Sequence, residues 1–245
     1  HDARVYDTPM VCVIEVMGRN AGWLTAATAL AAHKGAGPDL IYLPELTFDM
    51  DTFLADAKKV YDKNNGKLIV AVSEGIKDKD GKYISEYGSD LAQEKDSFGH
   101  AQLGGTCQVL ANILKKEFGC KARAIELSLL QRCATHCGSK RDVEESFLAG
   151  EMAVKYAVDG TTDHMVAFER AEGEEYKCNI KLLNLSKVAN TEKKIPREWV
   201  NEEGTGLTEE YVKYALPLIQ PESAPPMEDG LPRFAKLKKV LAKPE

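Results

Sequence analysis

Apolar positions in this chain follow two alternating periods. A short, nearly continuous apolar run over residues 11–17 predicts a strand buried on both faces, and residues 40–43, 67–73 and 121–127 read as further strands. Helical spacing fills the intervals. One Ala- and Leu-rich helix is predicted from Gly22 to near Gly35. A second is capped by Thr47 or Asp49 and reaches about Asn64, and a third runs from Gln102 to Glu117 and stops at Gly119. Asp142 is the predicted cap of a helix ending near Val158, with Glu144 and Glu145 in its first turn. A strand over 165–168 is expected to pair with 176–183, and a last amphipathic helix spans 207–219 with Thr208 as its cap. Pro221, Pro225, Pro226, Pro232 and Pro244 make the tail loop-like. Repeated strand–helix units imply right-handed crossovers and a mostly parallel sheet flanked by helices, an α/β fold.

Composition narrows the function classes. The 245 residues carry a net charge of −6, which argues against a general nucleic-acid or membrane-surface binder. No stretch approaches the roughly 20 apolar residues of a spanning helix, and these residues read as carrying no signal peptide. The six cysteines are irregularly spaced, which favours reduced thiols and a cytoplasmic setting over a disulfide framework. The chain opens at His1 and enters a core strand almost at once, the expectation for a piece of something longer.

In an open α/β sheet, ligands sit beyond the carboxyl ends of the strands. Three loops qualify. In Met17-Gly18-Arg19-Asn20-Ala21-Gly22, Gly18 allows close backbone approach and Arg19 adds a charge; spacing alone favours a simple packing turn. Glu74, at the end of the 67–73 run, could bind sugar hydroxyls or begin a solvated loop. Arg123 and Arg132 bracket a mostly apolar stretch, as phosphate ligands or as partners in structural ion pairs.

Together these stretches resemble the phosphofructokinase family. Val13-Ile-Glu-Val-Met-Gly-Arg-Asn-Ala-Gly-Trp-Leu-Thr-Ala-Ala27 is similar to that family's Met-Gly-Arg segment. The strand ending in Glu74-Gly75, the run Phe98-Gly-His-Ala-Gln-Leu-Gly-Gly105 and Gln131-Arg132 follow in the family's order. Ala189-Asn190, Ile195-Pro-Arg-Glu-Trp199, Pro217-Leu-Ile219 and Gly230-Leu-Pro232 resemble the ends of the longer, pyrophosphate-dependent members.

The resemblance implies the sugar-phosphate-binding half of such an enzyme, its C-terminal portion. Met17, Gly18 and Arg19 would contact fructose 6-phosphate, and Glu74 would bind the sugar. Arg123 would reach the 6-phosphate, often across a subunit boundary, and Arg132 would close the site. Two positions depart from the family pattern: a usual His or Tyr is Leu129, and a usual basic residue is Met10. Both normally help grip the 6-phosphate, and Arg4 could substitute only if the initial segment folds back. Neither the family's Gly-rich phosphoryl-donor loop nor its segment bearing the aspartate base occurs in this chain. Catalytic residues and the Mg²⁺ that accompanies the donor, pyrophosphate or ATP, are therefore expected mainly outside it. The implied plan is a sugar-phosphate domain over 1–132, a segment over 133–185 that packs on the donor-binding domain, and a C-terminal helix and tail over 186–245. A homo-oligomer is implied, without nucleic-acid or membrane partners. The expected role is glycolytic phosphoryl transfer to the 1-hydroxyl of fructose 6-phosphate; the alternative is a non-catalytic sugar-phosphate-binding or regulatory subunit.

Weaker signals favour plain structure. Cys133-Ala-Thr-His136-Cys137 lacks a second ligand pair for zinc, and Asp78-Lys-Asp80-Gly81 fits a hairpin tip better than a calcium loop. The apolar residues Phe147, Leu148, Met152, Ala153, Val154 and Ala157 on the 142–158 helix need a partner; without one, that face is expected to be exposed.

Overall fold

Strand β1 (Met10–Val16) is buried along almost its whole length, and so is β3 (Lys67–Ser73), as their nearly continuous apolar runs require. The computed structural model describes residues 2–87, 105–173 and 175–241. Residues 98–104 of the family-like run, and the predicted start of a helix at Gln102, lie outside these. β1 and β3 form the centre of a four-stranded parallel sheet with β2 (Leu40–Tyr42) and β4 (Lys121–Glu126) at its edges, in the order β2-β3-β1-β4. Val16 lies beside Ser73, and Glu15 beside both Val72 and Glu126, so the strands reach their carboxyl ends together.

Helices cover both faces. Phe53 and Ala57 of α3 (Met50–Lys63), with Leu110 and Leu114 of α4 (Thr106–Phe118), pack on Val11, Val13, Leu68, Val70 and Val72. The opposite face seats Ala26 of the short α2 (Trp23–Ala27), which continues as a 3-10 turn over Thr28–Lys34. There Ile195, Val200 and the buried Tyr211 and Ala215 of α7 (Glu209–Ala215) complete the layer. The Ile195–Trp199 run fastens this return segment. Trp199 meets Trp23 edge-on at 6.2 Å, and the Tyr211 hydroxyl donates to the Trp23 carbonyl at 2.9 Å.

Local signals behave largely as expected. Asp49 caps α3 by accepting the Thr52 N–H at 2.8 Å, and Gly35 and Gly119 end their helices in the left-handed conformation. The 78–82 segment is a turn closed on the Asp78 carboxylate by the Asp80 and Lys82 amides. One cap differs. The helix α5 (Lys140–Val158) is capped by Ser139, whose hydroxyl accepts the Asp142 N–H at 3.0 Å, not by Asp142. Asp142 sits instead in the first turn, where its charge suits the helix dipole. Glu144 and Glu145 fall in the second turn, and Glu145 accepts the Tyr176 hydroxyl. Thr208 does occupy the N-cap position of α7, but its side chain makes no capping bond.

The chain divides into two compact units. One comprises His1–Gln131 with Asn184–Pro217, and holds the sheet and its layers. The other comprises Arg132–Leu183 with Leu218–Glu245 and carries α5 and the paired strands β5 (His164–Arg170) and β6 (Cys178–Asn184). None of the buried apolar side chains among the described residues belongs to the second unit. No α5 residue is buried, and Phe147 is 75% exposed. The helix therefore shows its apolar face, as its unpartnered sequence requires. Polar contacts hold what order this unit has. Arg141 lies 4.2 Å over the Tyr176 ring, and Ser139 donates to the Leu218 carbonyl at 2.7 Å.

The first unit's stability is expected to rest on its core alone. Phe53→Ala, at a fully buried position, should cost about 3–5 kcal/mol in urea unfolding followed by circular dichroism. Phe147→Ala in α5 should shift that transition by less than about 0.5 kcal/mol.

Candidate sugar-phosphate site

Past Val16 the chain must turn at once from strand to helix, and glycines make the turn possible. Gly18 has φ +146°, and a Cβ there would sit 2.7 Å from the Ala21 carbonyl oxygen. Gly75 serves the neighbouring strand. A Cβ at that position would lie 1.8 Å from the Arg19 carbonyl oxygen, so the backbone after β3 presses directly on the backbone of the loop.

The loop's polar groups are taken up by side chains from elsewhere. The Met17 N–H donates to Gln131 Oε1 at 2.8 Å, and the Gly18 N–H to Glu74 Oε1 at 3.2 Å. Ser73 donates its hydroxyl to the Gly18 carbonyl and accepts the Gly75 N–H at 3.2 Å. At the far end, the Gly22 N–H donates to Glu45 Oε1 at 2.9 Å. Met17, Gly18, Arg19 and Glu74 are thus gathered at the carboxyl end of the sheet, all half-buried, with one Glu74 oxygen already engaged.

Behind the loop lies a residue that composition alone did not single out. Glu15 interrupts the apolar run of β1 and is only 3% exposed. Its carboxylate accepts the Cys107 N–H at 2.9 Å, in the first turn of α4, which has no acidic residue in that turn and no capping side chain. Burial raises the Glu15 pKa above its usual value, helped by the Glu126 and Glu74 charges. The same surroundings, burial first and then Glu15, push the Cys107 thiol up to about 12. A lone acid inside an apolar strand was the available signal; its partner, 92 positions away, was not legible.

The remaining residues lie elsewhere. Arg123 is exposed on edge strand β4, in register with Cys12, five positions before Met17. At roughly 3.3 Å per residue it stands about 16 Å along the strand from the loop. Arg132 is exposed at the end of the Ser128–Arg132 turn, where the second unit begins. Met10 is buried in the sheet, and Leu129 is exposed. The initial segment folds back, with Ala3 in one buried cluster with Met10, and Arg4 is engaged there. It pairs at 2.9 Å with Asp39, whose other oxygen accepts the Ile69 N–H near the start of β3, so Arg4 is held toward the amino end of the sheet.

A parallel α/β unit with a pinned glycine loop and an acid at its carboxyl edge defines a ligand-binding class of sheet protein. The particular family follows from comparison with known proteins. A family model described as Phosphofructokinase matches residues 5–126. A pyrophosphate–fructose 6-phosphate 1-phosphotransferase from Halomonas elongata is 41% identical over 94% of this chain and 54% of its own length. Solved structures of pyrophosphate-dependent phosphofructokinases from Nitrosospira multiformis and Marinobacter aquaeolei superpose with TM-scores of 0.82 and 0.81, at 35% and 34% identity. They match 100% and 99% of this chain, and 56% of each of those chains. The chain belongs to the phosphofructokinase family and spans about half the length of the relatives it matches.

Two outcomes test this geometry. Gly75→Ala must push the Arg19 backbone away and should cost about 1–3 kcal/mol in thermal unfolding. For Glu15, the native chain keeps its proton at pH values where the unfolded chain has released it. The stability this confers is fully present below the ordinary carboxyl value and is lost as pH rises through the raised native one. Glu15→Gln keeps an acceptor for Cys107 without that titration. The parent's melting temperature should fall more than the variant's as pH rises above the ordinary carboxyl range.

Proposed function

We propose that this chain supplies the fructose 6-phosphate site of a pyrophosphate-dependent phosphofructokinase. The observation that carries the reading is the Met17-Gly18-Arg19 loop, held beside Glu74 at the carboxyl end of a parallel sheet. Similarity to relatives named for pyrophosphate and fructose 6-phosphate, along 94% of the chain, supports the choice of substrates. In this reading Arg19 supplies charge to the sugar phosphate, and the second oxygen of Glu74 accepts a sugar hydroxyl. Arg132 closes the site. Arg123, exposed on its strand, serves a neighbouring copy in a homo-oligomer.

The base that takes the proton from the sugar's 1-hydroxyl belongs to residues beyond this chain. Among the described residues no group of three or more His, Cys, Asp or Glu is placed to hold a metal ion. In this reading the Mg²⁺ that accompanies the donor is held mainly beyond this chain, and the part of these residues is to bind and orient the sugar. The segment 133–185, lacking buried apolar side chains, packs on the domain that binds the phosphoryl donor. Residues 1–132 form the sugar-phosphate domain, and 186–245 the closing helix and tail. No helix among the described residues is long and apolar enough to cross a membrane; the role proposed is cytoplasmic and glycolytic.

Calorimetry with fructose 6-phosphate is expected to give measurable binding, weakened about 10- to 150-fold by Arg19→Ala, the loss of one charge-assisted contact. Co-expression with the donor-binding half of a relative should restore phosphoryl transfer, and Arg132→Ala should abolish it. Full transfer by the Arg132→Ala complex would overturn the assignment. Sugar binding without restored transfer would favour a non-catalytic subunit.

A further inference from the structure

The loop joining β1 to α2 is held by three acceptors, one from beyond each of the other strands of the sheet. Gln131 follows β4 and takes the Met17 N–H; Glu74 follows β3 and takes the Gly18 N–H; Glu45 follows β2 and takes the Gly22 N–H. The first two sit among residues already assigned to the site. Glu45 does not, and its setting is unusual. Its Oε1 accepts from both Gly22 and Ile195, at 2.9 and 3.1 Å, while its Oε2 is buried without a hydrogen-bond partner. A carboxylate oxygen left unsatisfied in the interior is costly, and nothing in the packing of the sheet demands an acid there.

The arrangement makes sense as a clamp. Gly22 has no room for a side chain, because a Cβ would lie 2.8 Å from Glu45 Oε2 and 2.9 Å from Leu43. Five and four residues before Gly22, the chain is fixed at Met17 and Gly18, and between the two ends the Arg19 carbonyl rests against Gly75. Arg19 thus projects from a backbone restrained on both sides. Such restraint keeps a binding side chain in one geometry before the ligand arrives.

We infer that Glu45 is a positioning residue, which through the Gly22 amide sets the backbone from which Arg19 meets the sugar phosphate. This inference rests on the reading of the loop as the sugar-phosphate site. Glu45 acts through the loop and does not itself touch the ligand.

The test uses the full chain and two variants, Glu45→Gln, which keeps a carbonyl acceptor for Gly22, and Glu45→Ala, which removes it. Calorimetry with fructose 6-phosphate, at a temperature where circular dichroism shows both variants folded, should find Glu45→Gln within threefold of the parent and Glu45→Ala weakened tenfold or more. A core variant such as Leu114→Ala should lower the melting temperature without that loss of affinity, which separates positioning from stability. Affinity within threefold for folded Glu45→Ala would overturn the proposal. If the parent itself gives no heat with the sugar, the functional reading fails, and amide hydrogen exchange then decides the structural claim. Lost protection at Met17 and Gly18 together with Gly22 in Glu45→Ala upholds the clamp; loss confined to Gly22 overturns it.

Discussion

A strand with apolar side chains on both faces has to be covered on both faces, and β1 and β3 impose that requirement on the whole first unit. α3 and α4 answer it on one side. On the other, α2 and its 3-10 extension cover too little, and residues 195–215 return from late in the chain to finish the layer. The aromatic cluster of Trp23, Trp199, Tyr211 and Tyr214 is the seam where early and late sequence meet. Because the strands run parallel and end in step, the same constraint delivers four loops to one edge of the sheet, where hydrogen bonds among them become possible.

What could be read from the chain beforehand follows from this physics. The strand at 67–73 was legible because burial on both faces leaves an unbroken apolar run, and Gly35 and Gly119 marked helix ends because each adopts a left-handed conformation. The α5 cap was harder. Ser139 and Asp142 are both good capping residues three positions apart, and only the backbone decides which one lies outside the first turn. Met17, Gly18, Arg19 and Glu74 were recognisable as a group because motif and strand end coincide. Glu45 was not, since its partners Gly22 and Ile195 lie 23 and 150 positions away and no local pattern encodes such pairs. Arg4 shows the converse: a charge with no evident local role proves to be an anchor, paired across the fold with Asp39.

The family relationship and the geometry of the first unit support each other at different levels. Membership accounts for the order of the elements, while the hydrogen bonds explain why particular residues must stand where they do. Gly75 is a case in point. Its backbone angles would suit many residues, yet the Arg19 carbonyl occupies the space a side chain would need. Glu15 is another, a buried acid spent on the start of a helix that has no cap of its own.

The second unit works by a different economy. With no apolar side chain fully buried among its described residues, α5 and its strand pair draw little cohesion from within. Where another surface covers α5, folding and association become one event for this stretch of sequence. Inherited changes along the exposed side of α5 would leave the melting of the sheet untouched and register instead as altered assembly, dependent on protein concentration. Two neighbouring regions of one polypeptide would in this way tolerate mutation by different rules, the first answering to its own interior and the second to whatever surface it meets.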